Sequence, residues 1–283
     1  MSIARPTPAA DAPLRIFRHD AVFHIELNRP QARNPLGAEM VAALGAAIDE
    51  AEADRTVRAV LFTAAGDAFS AGGNLGNLQE RLQAPAGPDG KDPIAAGNRL
   101  YGDFLARLAS SDKVSVAAVQ GPAMGGGAGL ACAADISIGV ASARFGFPEA
   151  AIGLVPGQIL PFVAARIGVQ AARRLMLTGE RIDGAEAHRL GLLDYLVQDA
   201  AELASRTRAI LDSVLACGPA ASAGTKQLLR QVANRADGHG SDLGRYLDEA
   251  STLFARQMRT EAVEGVAAAR AKRKPEWAVS AAI

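Results

Sequence analysis

Val114-Ser115-Val116-Ala117-Ala118-Val119-Gln120-Gly121-Pro122-Ala123-Met124-Gly125-Gly126-Gly127-Ala128-Gly129-Leu130, continuing as ACAADISIGV through residues 131–140, is the stretch from which the fold can be read. Residues 114–134 carry no charge, which raises the question of a membrane span, but Pro122 and five glycines (121, 125, 126, 127 and 129) interrupt the run. The better reading is a soluble strand (VSVAAV, 114–119), a glycine turn and a buried helix, followed by a second buried strand in ADISIGV (134–140).

The same alternation extends in both directions. Upstream, VRAVLFT (57–63) is an apolar run of strand length, and residues 94–109 read as a helix. Ala38 to Ala53 places Val41, Leu44, Ile48 and Ala51 at three- and four-residue spacing, an amphipathic helix. LRIF and AVFHIEL, within residues 14–28, are separated by His19-Asp20 and predict a hairpin. Downstream, helices are expected at 161–167, 171–177 and 185–190, with a last strand at 192–197. Residues from about 200 to 271 are helix formers broken at Gly218-Pro219 and around 238–240. The expectation is an α/β chain: a flexible arm (1–13), a sheet-based core (14–200) and a C-terminal helical region (201–283) that closes over the core or packs on a neighbouring subunit. A short helix at 77–82 and a mobile loop at 83–93 are expected inside the core.

The 283 residues are 49% hydrophobic and 21% charged, which excludes a disordered chain. Thirty basic residues balance thirty acidic ones, so no overall field favours nucleic acid, and with 5% aromatics there are few stacking surfaces. Cys132 and Cys217 are far apart in sequence, which argues against a disulfide framework and for a reducing, cytoplasmic compartment. The N-terminus has no apolar segment of the kind a secretory signal needs.

Two segments place glycines where an apolar strand gives way to a helix: AFSAGGNL (68–75) and GPAMGGGAGL (121–130). A helix N-terminus offers orphan N–H donors, so two such turns facing one another can hold an oxyanion between two peptide N–H groups. Close packing of helix on strand is the other use of such glycines. Neither segment contains G-x-G-x-x-G or a P-loop, so nucleotide-loop assignments are rejected.

At these residues the sequence resembles the crotonase, or enoyl-CoA hydratase/isomerase, family, over nearly the whole chain. Leu27-Asn28-Arg29-Pro30 with Asn34-Pro35-Leu36 resembles the family's opening motif, and the two glycine segments resemble its two oxyanion segments. Phe145-Gly146-Phe147-Pro148-Glu149 with IGLVPG (152–157), then LTGERIDGAEA (177–187) with Gly191-Leu192, complete five motifs in order. The resemblance implies a ββα spiral core with a C-terminal helical extension, assembled as a homotrimer or dimer of trimers. It also implies an acyl-CoA thioester substrate, with coenzyme A as part of that substrate and no separate cofactor.

Carried over by position, the backbone N–H groups of Gly73 and Gly126 hold the thioester oxygen, and Glu149 is the acid/base carboxylate near the substrate's Cα and Cβ. Ala71 matches a position whose backbone meets the adenine, and Asn74, Gly125 and Gly129 fall within the binding segments. Arg29 and Arg33 are either contacts for CoA phosphates or solvated surface residues. Glu149 taken alone reads first as a helix N-terminal glutamate after Pro148, an order that the surrounding motif reverses, and its apolar neighbours predict a raised pKa.

The departures bear on the reaction. Gly129 stands where many hydratases of the family have a second glutamate, Asn74 replaces a common aspartate, and QILPF (158–162) replaces a glycine-rich turn. One carboxylate suffices for moving a proton between Cα and Cγ, and also serves hydration if Glu149 both takes and returns a proton. The expectation is an enoyl-CoA hydratase, with a Δ3-Δ2 isomerase and an inactive acyl-CoA-binding member as alternatives. The segment FGFPEAAIGLVPGQILPFV, with Gly129 upstream, resembles hydratases of 3-branched glutaconyl-CoA thioesters. In that reading Gln158 bonds a distal polar group of the acyl chain; otherwise it is a turn residue. The four histidines, His19, His24, His188 and His239, show no metal-ligand spacing, so no metal is expected. Cys132 reads as core packing, Ser70 lacks a visible His-Asp pairing, and Lys272-Arg273-Lys274 is a solvated tail or a CoA-phosphate contact.

Overall fold

The computed structural model describes residues 12–74, 92–236 and 243–283. The arm before residue 12, the expected helix at 77–82, the loop from 83 to 91 and the break at 238–240 lie outside the described residues.

The hairpin comes first: β1 (Leu14–His19) and β2 (Val22–Leu27) pair antiparallel, His19 against Val22, with Asp20 at φ 48° in the turn. Three runs that lack a polar face become parallel neighbours: β3 (Ala59–Ala64), β4 (Val114–Val119) and β6 (Ile136–Val140). Continuous apolar runs suit strands covered on both faces, which explains why VSVAAV forms β4 at the expected residues. The last strand, β9, is Tyr195–Val197, and the six-stranded sheet runs β1-β2-β3-β4-β6-β9.

Helix α1 is Ala38–Ala53, with its buried residues Val41, Leu44, Ile48 and Ala51 on the stripe read from the sequence. Helix α2 (Pro93–Ser110) is capped by Asp92, whose side chain accepts from the N–H of Ile94. Helix α3 (Gly126–Ala133) follows the second glycine turn, and Gly127 to Ala133 are all buried. The two helices expected at 161–177 form one segment, α4 (Leu160–Thr178), interrupted by Gly168 at φ 76°, ψ 153°. Short helix α5 (Gly184–Arg189) precedes β9.

Beyond β9 the described residues form helices α6 (Ala200–Ala216), α7 (Pro219–Ala236), α8 (Leu243–Arg259) and α9 (Glu261–Arg270). Leu203, Ile210, Leu211 and Leu215 of α6 join the hydrophobic cluster of the sheet. Lys226 of α7 donates to the Lys113 carbonyl and pairs with Asp135 at 2.5 Å, fastening this helix to the sheet. Among the described residues no helix is long and apolar enough to cross a membrane.

A second sheet, absent from the sequence reading, positions the segment that leads to Glu149. It runs β5-β7-β8, from β5 (Ala123–Met124), β7 (Arg144–Gly146) and β8 (Arg181–Asp183). Strands of two and three residues have no measurable periodicity, so only tertiary pairing reveals them.

Asn34 organises the approach to the first glycine turn. It is fully buried; its Nδ2 donates to the carbonyls of Ala65 and Ala68 at 2.9 Å, and its Oδ1 accepts from the Arg29 N–H at 2.7 Å. Asn34→Ala strands these groups in the interior, so urea unfolding should show a loss of about 3 kcal/mol, whereas Asn98→Ala on the exposed face of α2 should stay within about 0.5 kcal/mol.

Candidate active site

The two glycine turns meet. Ser70 N–H donates to the Pro122 carbonyl at 3.1 Å and Met124 N–H donates to the Ser70 carbonyl at 2.9 Å, a parallel bridge between the segments. The Ser70 hydroxyl is consumed by structure: it donates to the Asn34 carbonyl at 2.8 Å and accepts from the Gly72 N–H at 3.1 Å. Arg33 and Leu36 hold the other side, since Ala71 N–H donates to the Arg33 carbonyl at 2.7 Å and Leu36 N–H to the Gly72 carbonyl at 2.8 Å.

Glycine is required at Gly72, which has φ 88°; a Cβ there would fall 2.6 Å from the Met124 carbonyl oxygen and 3.5 Å from the Gly126 nitrogen. The first turn therefore lies directly against the N-terminus of α3. The N–H groups of Gly73 and Gly126, the two expected oxyanion donors, donate to no described residue. Gly73 is exposed and Gly126 occupies the first helical position of α3, where no intrahelical acceptor exists.

The second sheet brings the carboxylate to the same place. Ala123 and Met124 pair with Phe145 and Gly146, and Gly125 N–H donates to the Gly146 carbonyl at 2.8 Å. The chain leaving β7 passes the buried Phe147 into a 3-10 turn, Pro148–Ile152, that carries Glu149. A Cβ built on Gly125 would lie 2.6 Å from Glu149 Oε1, so the carboxylate rests on the turn next to the Gly126 N–H. Its Oε2 is buried, with no hydrogen-bond partner among the described residues. Burial pushes the Glu149 pKa above its ordinary 4.5, opposed in part by a hydrogen bond from its own backbone N–H.

The second-carboxylate position is closed. Gly129 is buried in α3, and a Cβ there would collide with the side chain of Ile159, itself buried. Gln158, half-buried, lies against Gly102 of α2, where any side chain would collide with its carboxamide. Asn74 packs on Gly37, at the start of α1. Arg29 pairs with Glu39 at 3.1 Å, and Arg33 occupies left-handed backbone (φ 60°), contributing its carbonyl to the first turn. Cys132 is buried, and burial pushes its thiol up to about 12, as suits a packing residue.

Tyr101 and Ile159 were missed by the sequence reading. Both sit at ordinary helical or turn positions, and no local pattern distinguishes them from other apolar residues. Among the described residues no group of three or more His, Cys, Asp or Glu side chains is placed to hold a metal ion.

Comparison with known proteins agrees with this geometry. The family described as Enoyl-CoA hydratase/isomerase matches residues 18–279. A 1,2-epoxyphenylacetyl-CoA isomerase of Escherichia coli is 34% identical over 260 residues, covering 90% of this chain and 94% of that protein. A short-chain-enoyl-CoA hydratase of Clostridium acetobutylicum is 31% identical over 209 residues, covering 73% and 77%. The crystal structure of an enoyl-CoA hydratase/isomerase from Marinobacter aquaeolei superposes with a TM-score of 0.88 at 38% identity, covering 94% of this chain and 99% of that one. Motif order, the crotonase fold and the meeting of both glycine turns with one carboxylate lead to a single conclusion: the chain belongs to the enoyl-CoA hydratase/isomerase family and is an enzyme of that kind.

Proposed function

We propose that the protein is an enoyl-CoA hydratase that adds water across the 2,3 double bond of an unsaturated acyl-CoA, with Glu149 as the sole general acid/base. The observation that carries this reading is the seating of Glu149 Oε1 on Gly125, beside the N–H of Gly126, with Oε2 free of partners among the described residues. Glu149 takes a proton from water as the water oxygen bonds to Cβ. The double-bond electrons move onto the thioester oxygen, held by the N–H groups of Gly73 and Gly126, and the protonated Glu149 then returns its proton to Cα. Each oxyanion donor is worth about 3 kcal/mol.

The closed position at Gly129 favours a second reading. With Ile159 filling the space, no second carboxylate stands at the Gly129 position, and in this reading Glu149 removes a proton from Cα of a 3-enoyl-CoA and returns it to Cγ. A panel of linear, 3-branched and carboxylated 2-enoyl- and 3-enoyl-CoA esters, incubated in deuterated water, separates the two by mass: a gain of water marks a hydratase, while deuterium uptake with a moved double bond marks an isomerase. Gln158 is the proposed donor to a polar group far along the acyl chain, so Gln158→Leu should lower kcat/KM for carboxylated esters more than for linear ones. The proposed assembly is a homotrimer or dimer of trimers, which sedimentation velocity would report as three or six times the chain mass. The exposed Leu247, Phe254 and Met258 of α8 are suited to such contacts.

Glu149→Gln should lower kcat by about 10²- to 10⁴-fold while leaving acyl-CoA binding nearly intact. Full activity in that variant would remove Glu149 from the mechanism. As the catalytic form is the carboxylate, kcat/KM should rise with pH through a pKa above 4.5. The folded-state pKa is raised, so ionising Glu149 costs stability as pH rises through it, and Glu149→Gln should unfold at a temperature equal to or above that of the wild type at pH 7.

Gly129→Glu by itself should unfold at lower denaturant, because its side chain meets Ile159. Pairing it with Ile159→Ala should recover part of that loss, and increased hydration by the double variant would mark the pocket as able to hold water between two carboxylates.

A further inference from the structure

Gly126 must present its N–H in one direction, yet it sits between Gly125 and Gly127, where the backbone has its greatest freedom. The structure supplies a clamp from another helix. The Tyr101 hydroxyl, on α2, donates to the Gly126 carbonyl at 2.6 Å. A Cβ built on Gly126 would lie 3.3 Å from Tyr101 Cε1 and 3.0 Å from Leu36 Cδ1, so the residue is held between these two side chains. The Tyr101 ring is in turn stacked on the buried Phe104, centroids 6.0 Å apart at 27°. Burial pushes the phenol far above its ordinary pKa, which keeps it a donor throughout the working range.

We propose that Tyr101 is a positioning residue for the oxyanion site: its hydroxyl pins the Gly126 carbonyl, its ring and Leu36 fix the Gly126 Cα, and together they aim the Gly126 N–H at the thioester oxygen. The proposal rests on the acyl-CoA reading above. A misaligned donor loses most of its advantage in the transition state, where charge on that oxygen is greatest, and loses less in ground-state binding. The signature is therefore a change in kcat with little change in KM.

Tyr101→Phe keeps the ring and its stacking and removes only the hydroxyl. The expected result is a fall in kcat of about 10- to 100-fold with KM within about twofold. The infrared carbonyl band of a bound saturated acyl-CoA, 13C-labelled at the thioester, is expected to be red-shifted in the wild type and to move back toward the free-ester position in the variant. Leu36→Ala, which loosens the other side of Gly126 and leaves the hydroxyl in place, should move the band in the same direction by less. A Tyr101→Phe protein with wild-type kcat and an unmoved band would overturn the proposal, as would a rise in KM at unchanged kcat. A wild-type protein that binds the labelled ester with no red shift, or does not bind it, would overturn the acyl-CoA reading and the role of Tyr101 with it. In the first two outcomes a red-shifted wild-type band leaves that reading standing.

Discussion

The pairing of Ala123-Met124 with Phe145-Gly146 is the contact on which the site depends. Two short strands, closed by the Gly125 N–H on the Gly146 carbonyl, bring a turn at the end of β4 to the segment that carries Glu149. The bridge from Ser70 to the Pro122–Met124 segment adds the first glycine turn to the same point. The segments carrying Gly73, Gly126 and Glu149 are far apart in the chain, and these few backbone hydrogen bonds bring them together. Because backbone pairing is specified at the level of single residues, a slip of one residue in β7 would turn Phe145 and Gly146 to the wrong faces and displace the carboxylate.

The electrostatic state of the site follows from the same placement. Glu149 follows the buried Phe145 and Phe147 in the chain, and its Oε2 is buried without a partner among the described residues, so its charged form is less favourable than in water. In the reaction proposed above that cost suits a base, since burial raises its pKa toward the range in which a carboxylate exchanges protons readily. By contrast, the polar groups that only support the site are fully satisfied. Asn34 uses three hydrogen bonds, and Ser70 spends its hydroxyl on Asn34 and Gly72.

Much of this was legible from the sequence for identifiable reasons. The core strands β3, β4 and β6 are continuous apolar runs, and α1 shows its buried stripe at the expected spacing. The glycine turns and Glu149 were marked by motifs dense enough to be placed individually. What could not be read were elements too short for periodicity, β5, β7 and β8, and side chains whose importance comes from their neighbours. Tyr101 is one aromatic on an ordinary helix until its hydroxyl reaches Gly126, and Ile159 is one aliphatic in a turn until it meets Gly129.

The sequence by itself determined the α/β class, the hairpin start, the helical C-terminal stretch and the absence of a second glutamate at Gly129, because hydrophobic period, glycine punctuation and residue identity are local properties of the chain. The tertiary structure alone decided that the two glycine turns touch, that Glu149 lies on Gly125, and that Ile159 fills the space beside Gly129. Those facts depend on distances between residues separated by tens of positions, and contact and collision are set by such distances, which no local pattern encodes.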